Sequence, residues 1–215
     1  MNWKEFLEKE SQEDYFKSIF LYLKDRQANG AQIFPEKKNI FRLFKESNGV
    51  YPRVVILGQD PYPTKGDANG IAFSVNRSEN LPRSLKNIFE EIKREYGFLN
   101  VSGDLSSWVR QGVFLLNTRL TVEEGKPMSH ANIGYDILTG RVLKAIVNEN
   151  PDVIFMLFGK EAEKYKEYAK EENRLITSHP SPLAAHRGFL GSNIFKRANA
   201  RLLEQGNDEI DWHTS

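Results

Sequence analysis

The sequence predicts a single α/β domain built on a four-stranded parallel sheet with helices on both faces. Three observations carry this. Four runs, Val54–Leu57, Val113–Leu116, Val153–Phe158 and Leu175–Thr177, read as strands buried on both sides. Stretches of helical periodicity fill the intervals between them, as in βαβ architectures. At 215 residues and 40% hydrophobic, the chain can bury one substantial core.

Taken in order, Trp3, Phe6, Leu7, Tyr15, Phe16, Ile19, Phe20 and Leu23 recur at helical spacing. They give one or two amphipathic helices within residues 1–30. Asn39–Glu46 is a short helix carrying Ile40, Phe41, Leu43 and Phe44. The first strand leads to helices at Ser84–Tyr96 and Asp104–Arg110, and the second to a helix at Tyr135–Glu149. The third strand leads to a helix at Lys160–Glu171, and the fourth to a last helix at Asn193–Leu203. Residues 204–215 form an acidic tail with Glu204, Asp208, Glu209 and Asp211. There is no internal repeat, low-complexity segment or linker.

A formal charge of +1 gives no global argument for a nucleic-acid partner. Its distribution says more. From Arg174 to Leu203 the cations Arg174, Arg187, Lys196, Arg197 and Arg201 stand with no Asp or Glu among them. That fits a polyanionic substrate and fits a solvated helix face equally well. The absence of cysteine excludes disulfides, iron–sulfur clusters and Cys-based zinc sites. The charged N-terminus lacks a signal-peptide core, and no apolar run approaches the roughly 20 residues of a membrane helix. A soluble, cytoplasmic protein is expected. No phosphate- or dinucleotide-binding glycine motif is present, and His179 and His186 lack metal-pair spacing, so neither cofactor nor metal is expected.

The strand ends hold the chemistry. Gly58-Gln59-Asp60-Pro61-Tyr62 follows the first strand, Asn117-Thr118 the second, Gly159-Lys160 the third and Ser178-His179-Pro180 the fourth. Open α/β sheets bind ligands at this rim. Pro61 and Pro180 restrict the backbone at Asp60 and His179. Alone, Asp60 reads as a turn or cap residue, and His179 as a structural histidine. Together on one rim with Asn117 they read as a site. Tyr62 and Phe73 add aromatic faces, and the Asn117 amide matches an imide edge such as that of uracil. Leu183, with Arg187 close behind, suits an apolar wedge on a loop tip; a minor core contact accounts for it as well.

These residues fall within motifs that resemble family 1 uracil-DNA glycosylase. The motifs are GQDPYP at 58–63, GIAFSV at 70–75, LPRSLKNIF at 81–89, LLNTRLTV at 115–122 and HPSPLAAHRGFLGSNIF at 179–195. The resemblance implies hydrolysis of the bond between uracil and deoxyribose in DNA. Under it, Asp60 positions water and stabilises a cationic sugar, and His179 donates to uracil O2. Asn117 reads the N3–H and O4 edge, Phe73 stacks, Tyr62 occupies the space beside C5, and Gln59 contributes backbone contacts. Leu183 fills the gap left by the extruded nucleotide, while Ser84, Ser181, Pro82, Lys160 and Arg187 face DNA. The implied partners are single- or double-stranded uracil-containing DNA and a protein inhibitor that mimics DNA, with the chain a monomer. A DNA-binding or scaffolding subunit with weak catalysis, and a related glycosylase for mismatched thymine or damaged bases, are the rivals. The chain departs from the family at Pro63 and Asn69, where His is common, at Ala184 for Ser, and at Gly159-Lys160 for Gly-Ser. Its proline-rich loop is reduced to Pro82.

Overall fold

The computed structural model describes residues 1–214. Helices α1 (Trp3–Glu10) and α2 (Asp14–Ala28) precede β1 (Ile33–Phe34) and α3 (Arg42–Glu46). Then come β2 (Val54–Gly58), α4 (Arg83–Tyr96), α5 (Ser106–Arg110), β3 (Val113–Asn117) and β4 (Val122–Glu123). The chain closes with α6 (Tyr135–Glu149), β5 (Ile154–Phe158), α7 (Gly159–Glu163), β6 (Arg174–Thr177) and α8 (Ile194–Glu204). Strands β3-β2-β5-β6 form the parallel sheet in that order. Every residue of β2, β3 and β5 is buried, as continuous apolar runs require of strands covered on both faces. The edge strand β6 alternates more, with Ile176 exposed. Trp3 of α1 stacks on Phe114 of β3 at 4.8 Å, so the N-terminal helices belong to the core.

Three expectations are corrected, and one element is added. The helix read at Lys160–Glu171 stops at Glu163 and gives way to 3-10 turns at Lys166–Tyr168 and Glu171–Asn173. Ala169 is extended at ψ 150°, and further on the buried amide of Asn173 donates to Asp152 O and accepts from Arg201 Nε at 2.7 Å, which anchors the chain at its entry into β6. The helix read from Asp104 begins at Ser106, because Asp104 spends its carboxylate accepting from Ser106 N–H and pairing with Arg42. The helix read at Asn39–Glu46 is a 3-10 turn, Lys37–Asn39, followed by α3. The antiparallel pair β1–β4 was not foreseen; two residues a side carry no periodicity.

The acidic C-terminal segment is bound to the fold. Trp212 is buried against Trp108 and Phe195 at 5.2 and 5.0 Å, and Asn199 holds Ile210 through both of its backbone groups. Two cations of the 174–203 stretch are neutralised, Arg174 by Glu167 and Arg201 by Glu204, while Arg187 and Arg197 stand exposed. Among the described residues, no helix is long and apolar enough to cross a membrane.

Candidate active site

The carboxyl ends of β2, β3, β5 and β6 share one edge of the sheet, and a cavity of about 380 Å³ opens there. Gln59, Asp60, Tyr62, Phe73, Asn117 and His179 all line it, with Ser84 and Ser181 at its border. A larger hollow, about 650 Å³, lies between α2 and residues 33–40, walled by Phe20, Leu21, Leu23 and Ile33 with lysines around it. It holds no carboxylate or imidazole, whereas the smaller cavity holds both.

Strand register sets the floor. Gly58 is paired with Asn117, and the ladder continues through Thr118 N–H to Gly58 O and Arg119 N–H to Gln59 O. A side chain at position 58 would place its Cβ 2.2 Å from Asn117 Oδ1, so only glycine lets the amide lie across the strand end. Beyond it, Asp60 is fixed by its oxygens. Oδ2 accepts from Met128 N–H at 2.5 Å; Oδ1 is buried without a hydrogen bond, 3.5 Å from Arg119 Nη1.

His179 is fixed by its own loop. Ser181 N–H donates to Nδ1 at 3.0 Å, so Nδ1 carries the lone pair and the proton of the neutral ring sits on Nε2. Burial pushes the imidazole below its ordinary pKa, which favours that neutral form. The glycine at 159, at φ +82°, is needed beside it, because a Cβ there would press on His179 Cβ at 3.0 Å.

Phe73 occupies the left-handed region at φ 65°, uncommon for a bulky residue. Tyr62 holds it there, its hydroxyl donating to Phe73 O at 3.0 Å, and burial raises the phenol's pKa so that the proton stays. Asn69, fully buried, braces the same loop by accepting from Ile71 N–H and donating to Ser74 Oγ and Asn76 Oδ1. The Phe73 ring lies 6.1 Å from that of His179 and tilted at 45°, so the two rings do not stack on each other.

The family model of the uracil DNA glycosylase superfamily matches residues 44–203. The chain belongs to this superfamily. It is 45% identical over 217 residues to the uracil-DNA glycosylase of Francisella tularensis subsp. novicida (strain U112), covering 99% of both chains. The crystal structure of mimivirus uracil-DNA glycosylase superposes with a TM-score of 0.89 at 24% identity, covering 98% of this chain and 86% of that one. A variant of mimivirus UNG in complex with UGI matches with the same TM-score at 25% identity, covering 98% and 87%.

The remaining expected residues, Pro82, Lys160, Leu183 and Arg187, lie outside the cavity lining. Leu183 is 86% exposed at the tip of a braced loop, which removes the core-contact reading. Ser178 Oγ donates to Ala184 O, Ala184 and Ala185 N–H donate to Ser181 O, and Asn87 donates to Pro180 O. Past the tip, Glu91 of α4 accepts from Gly191 and Asn193 N–H, anchoring the loop's far side. Arg187 is exposed on the same loop. Pro82 stands at the N-terminal cap position of α4, just before Ser84, outside the cavity lining. Lys160 lies in an adjoining hollow of about 150 Å³, shared with Gln59, Gly159 and His179.

Sequence reasoning missed Met128 and Pro127, which enter from the loop after β4. It also missed Arg119. Nothing in the Met128 segment marks it as part of the site, since its contribution to Asp60 is a backbone N–H. The signal for Arg119 was present: it lies two residues past β3, as Asp60 lies two past β2. Among the described residues no group of three or more His, Asp or Glu is placed to hold a metal ion.

Proposed function

We propose that the chain hydrolyses the N-glycosidic bond between uracil and deoxyribose in DNA, leaving an abasic site, as a family 1 uracil-DNA glycosylase. One observation carries the reading: an aspartate and a neutral histidine with its Nε2 proton free line the same slot as an asparagine and an aromatic face. The active unit is the whole chain, 1–215, with its N-terminal helices and its acidic C-terminal segment included. It acts as a monomer in the cytoplasm.

A base inside a duplex is out of reach, so uracil must be swung into the slot at a cost of a few kcal/mol. Stacking on Phe73, worth about 1–3 kcal/mol for a base on an aromatic ring, offsets part of that cost. Phosphate contacts from Ser84, Ser181, Lys160 and Arg187, together with Pro82 at the α4 entrance, supply more. As the bond breaks, negative charge gathers on uracil O2, where His179 Nε2–H is the donor, while Asp60 complements the cationic sugar and positions water. Asn117 pairs with N3–H and O4. Cytosine reverses that donor and acceptor order, and mispaired polar groups in a closed site discriminate by about 10⁴ or more. A binding or scaffolding subunit would have no use for a neutral imidazole held in one tautomer in the same slot as a carboxylate. The test is base release from oligonucleotides carrying uracil, thymine or cytosine, with chelator present; release of uracil alone is expected, and no release would overturn the reading.

Two variants refine it. Tyr62→Ala opens the space beside C5 and should admit thymine, whose methyl is otherwise excluded sterically. The same change frees the Phe73 carbonyl, so uracil turnover should fall by about 10-fold as the stacking ring loses its support. Continued rejection of thymine would assign the exclusion to another group. Leu183→Ala should lower uracil release from duplex DNA by about 10-fold or more and spare single strands, because only a duplex leaves a gap for the wedge. Equal losses on both substrates would count against it.

DNA is the proposed partner, in either strand state. A protein inhibitor that mimics DNA would dock on the same mouth, where Leu183 is the exposed apolar group. That the mimivirus protein has been solved with UGI supports this as a class of partner.

A further inference from the structure

Arg119 is a cation built into the catalytic framework without an evident structural task. The pairing of Gly58 with Asn117, extended by Arg119 N–H to Gln59 O, sets residues 60 and 119 abreast just past the sheet. Arg119 Nη1 then lies 3.5 Å from Asp60 Oδ1. Both atoms are buried, and neither has a hydrogen-bond partner among the described residues. The two side chains are only 16% and 10% exposed, and Asp60 is the sole ion-pair partner of Arg119 among those residues. A guanidinium kept for packing alone satisfies its donors on backbone carbonyls, as Arg53 does here with Gln111 O and Asp208 O. Arg119 instead leaves Nη1 aimed at one carboxylate oxygen.

We propose that Arg119 is a positioning residue for the reaction, which it serves by gripping Asp60 from behind. This rests on the assignment of Asp60 as the reacting carboxylate. Met128 N–H holds Oδ2 by a hydrogen bond and the Arg119 charge draws on Oδ1, so both oxygens of the carboxylate are oriented. The cation also offsets the cost of keeping an anion away from water, which a single backbone N–H does not cover. Arg119 is absent from the residues lining the cavity. Its influence on the bond being broken passes entirely through Asp60.

That last property gives the test. Arg119→Met, Arg119→Lys and Arg119→Met in an Asp60→Asn background are compared on a single-stranded uracil oligonucleotide, reading kcat and KM separately. Arg119→Met should lower kcat by about 10–50-fold with KM within about 2-fold, since an interaction made only through a reacting group appears in kcat. Arg119→Lys should recover part of the loss. In the Asp60→Asn background the same Met substitution should cause no further loss of kcat, because a residue acting through another has nothing left to support once that other is gone. Should Arg119→Met unfold, Arg119→Ala with added guanidinium ion replaces it: restoration of kcat by guanidinium, and not by sodium at equal ionic strength, is the expected result. Unchanged kcat in Arg119→Met overturns the proposal, as does an equal loss in both backgrounds or a loss confined to KM. Failure of guanidinium to restore Arg119→Ala does so too. Full turnover by Asp60→Asn alone would instead refute the assignment of Asp60, and the two failures are told apart by that single variant.

Discussion

Asp60→Asn is expected to cut uracil release by about 10³-fold in single-turnover kinetics while binding to uracil-containing DNA stays within a few-fold of the parent. The substitution keeps shape and removes charge, so it isolates what the anion does. A carboxylate facing a cationic sugar contributes electrostatically in a site where water is excluded, and groups of this kind are worth about 10²–10⁴ in rate. The surroundings sharpen the effect. Met128 N–H demands an oxygen at the Oδ2 position, which forces the new amide to turn its NH₂ toward Arg119 Nη1. Two donors then face each other in a buried place, and the side chain is pushed from its aim as well as neutralised. Turnover within about 3-fold of the parent would remove Asp60 from the chemistry.

The parts of this site legible in the sequence are those where a side chain does its own work at a strand end. Asp60, Asn117 and His179 lie far apart in the chain, yet a parallel sheet with continuous apolar strands sends all three to one edge. The same logic reached the buried strands, because burial on both faces leaves a direct mark on composition. Helix ends were less legible. Asp104 is a polar residue whose side chain bonds to backbone in place of starting a helix, and periodicity cannot see that choice. Least legible were contributions from backbone or from tertiary approach. Met128 acts through its N–H, and Tyr62 acts on Phe73 through a carbonyl, so neither role depends on a recognisable pattern of side chains. Asn69 stands as a departure in the sequence and turns out to brace the loop that carries Phe73.

His179→Gln is the second large effect, an expected loss of about 10²–10³ in kcat, the range for removing one preorganised donor to a developing anion. Glutamine can donate from its Nε2, yet it has no rigid ring fixed at the other end. In the parent, Ser181 N–H bonds to Nδ1 and so fixes both the tautomer and the direction of Nε2–H. Protonation would place a hydrogen on Nδ1 against that amide, and burial already holds the imidazole below its ordinary value of 6.5. The neutral donor therefore persists as the solution is acidified, and the acid limb of kcat attributable to this ring should fall below pH 6.5. Stability follows the same sign. Between the lowered folded value and 6.5 the unfolded chain takes the proton more readily, so unfolding free energy rises with pH across that window, and His179→Gln should flatten the rise. Nitrogen-15 NMR of the free enzyme at pH 7 should find Nδ1 bare and Nε2 protonated. A protonated Nδ1 at that pH would mean that a cation, rather than a neutral aimed dipole, meets the departing uracil, and the balance of charge with Asp60 would have to be drawn differently.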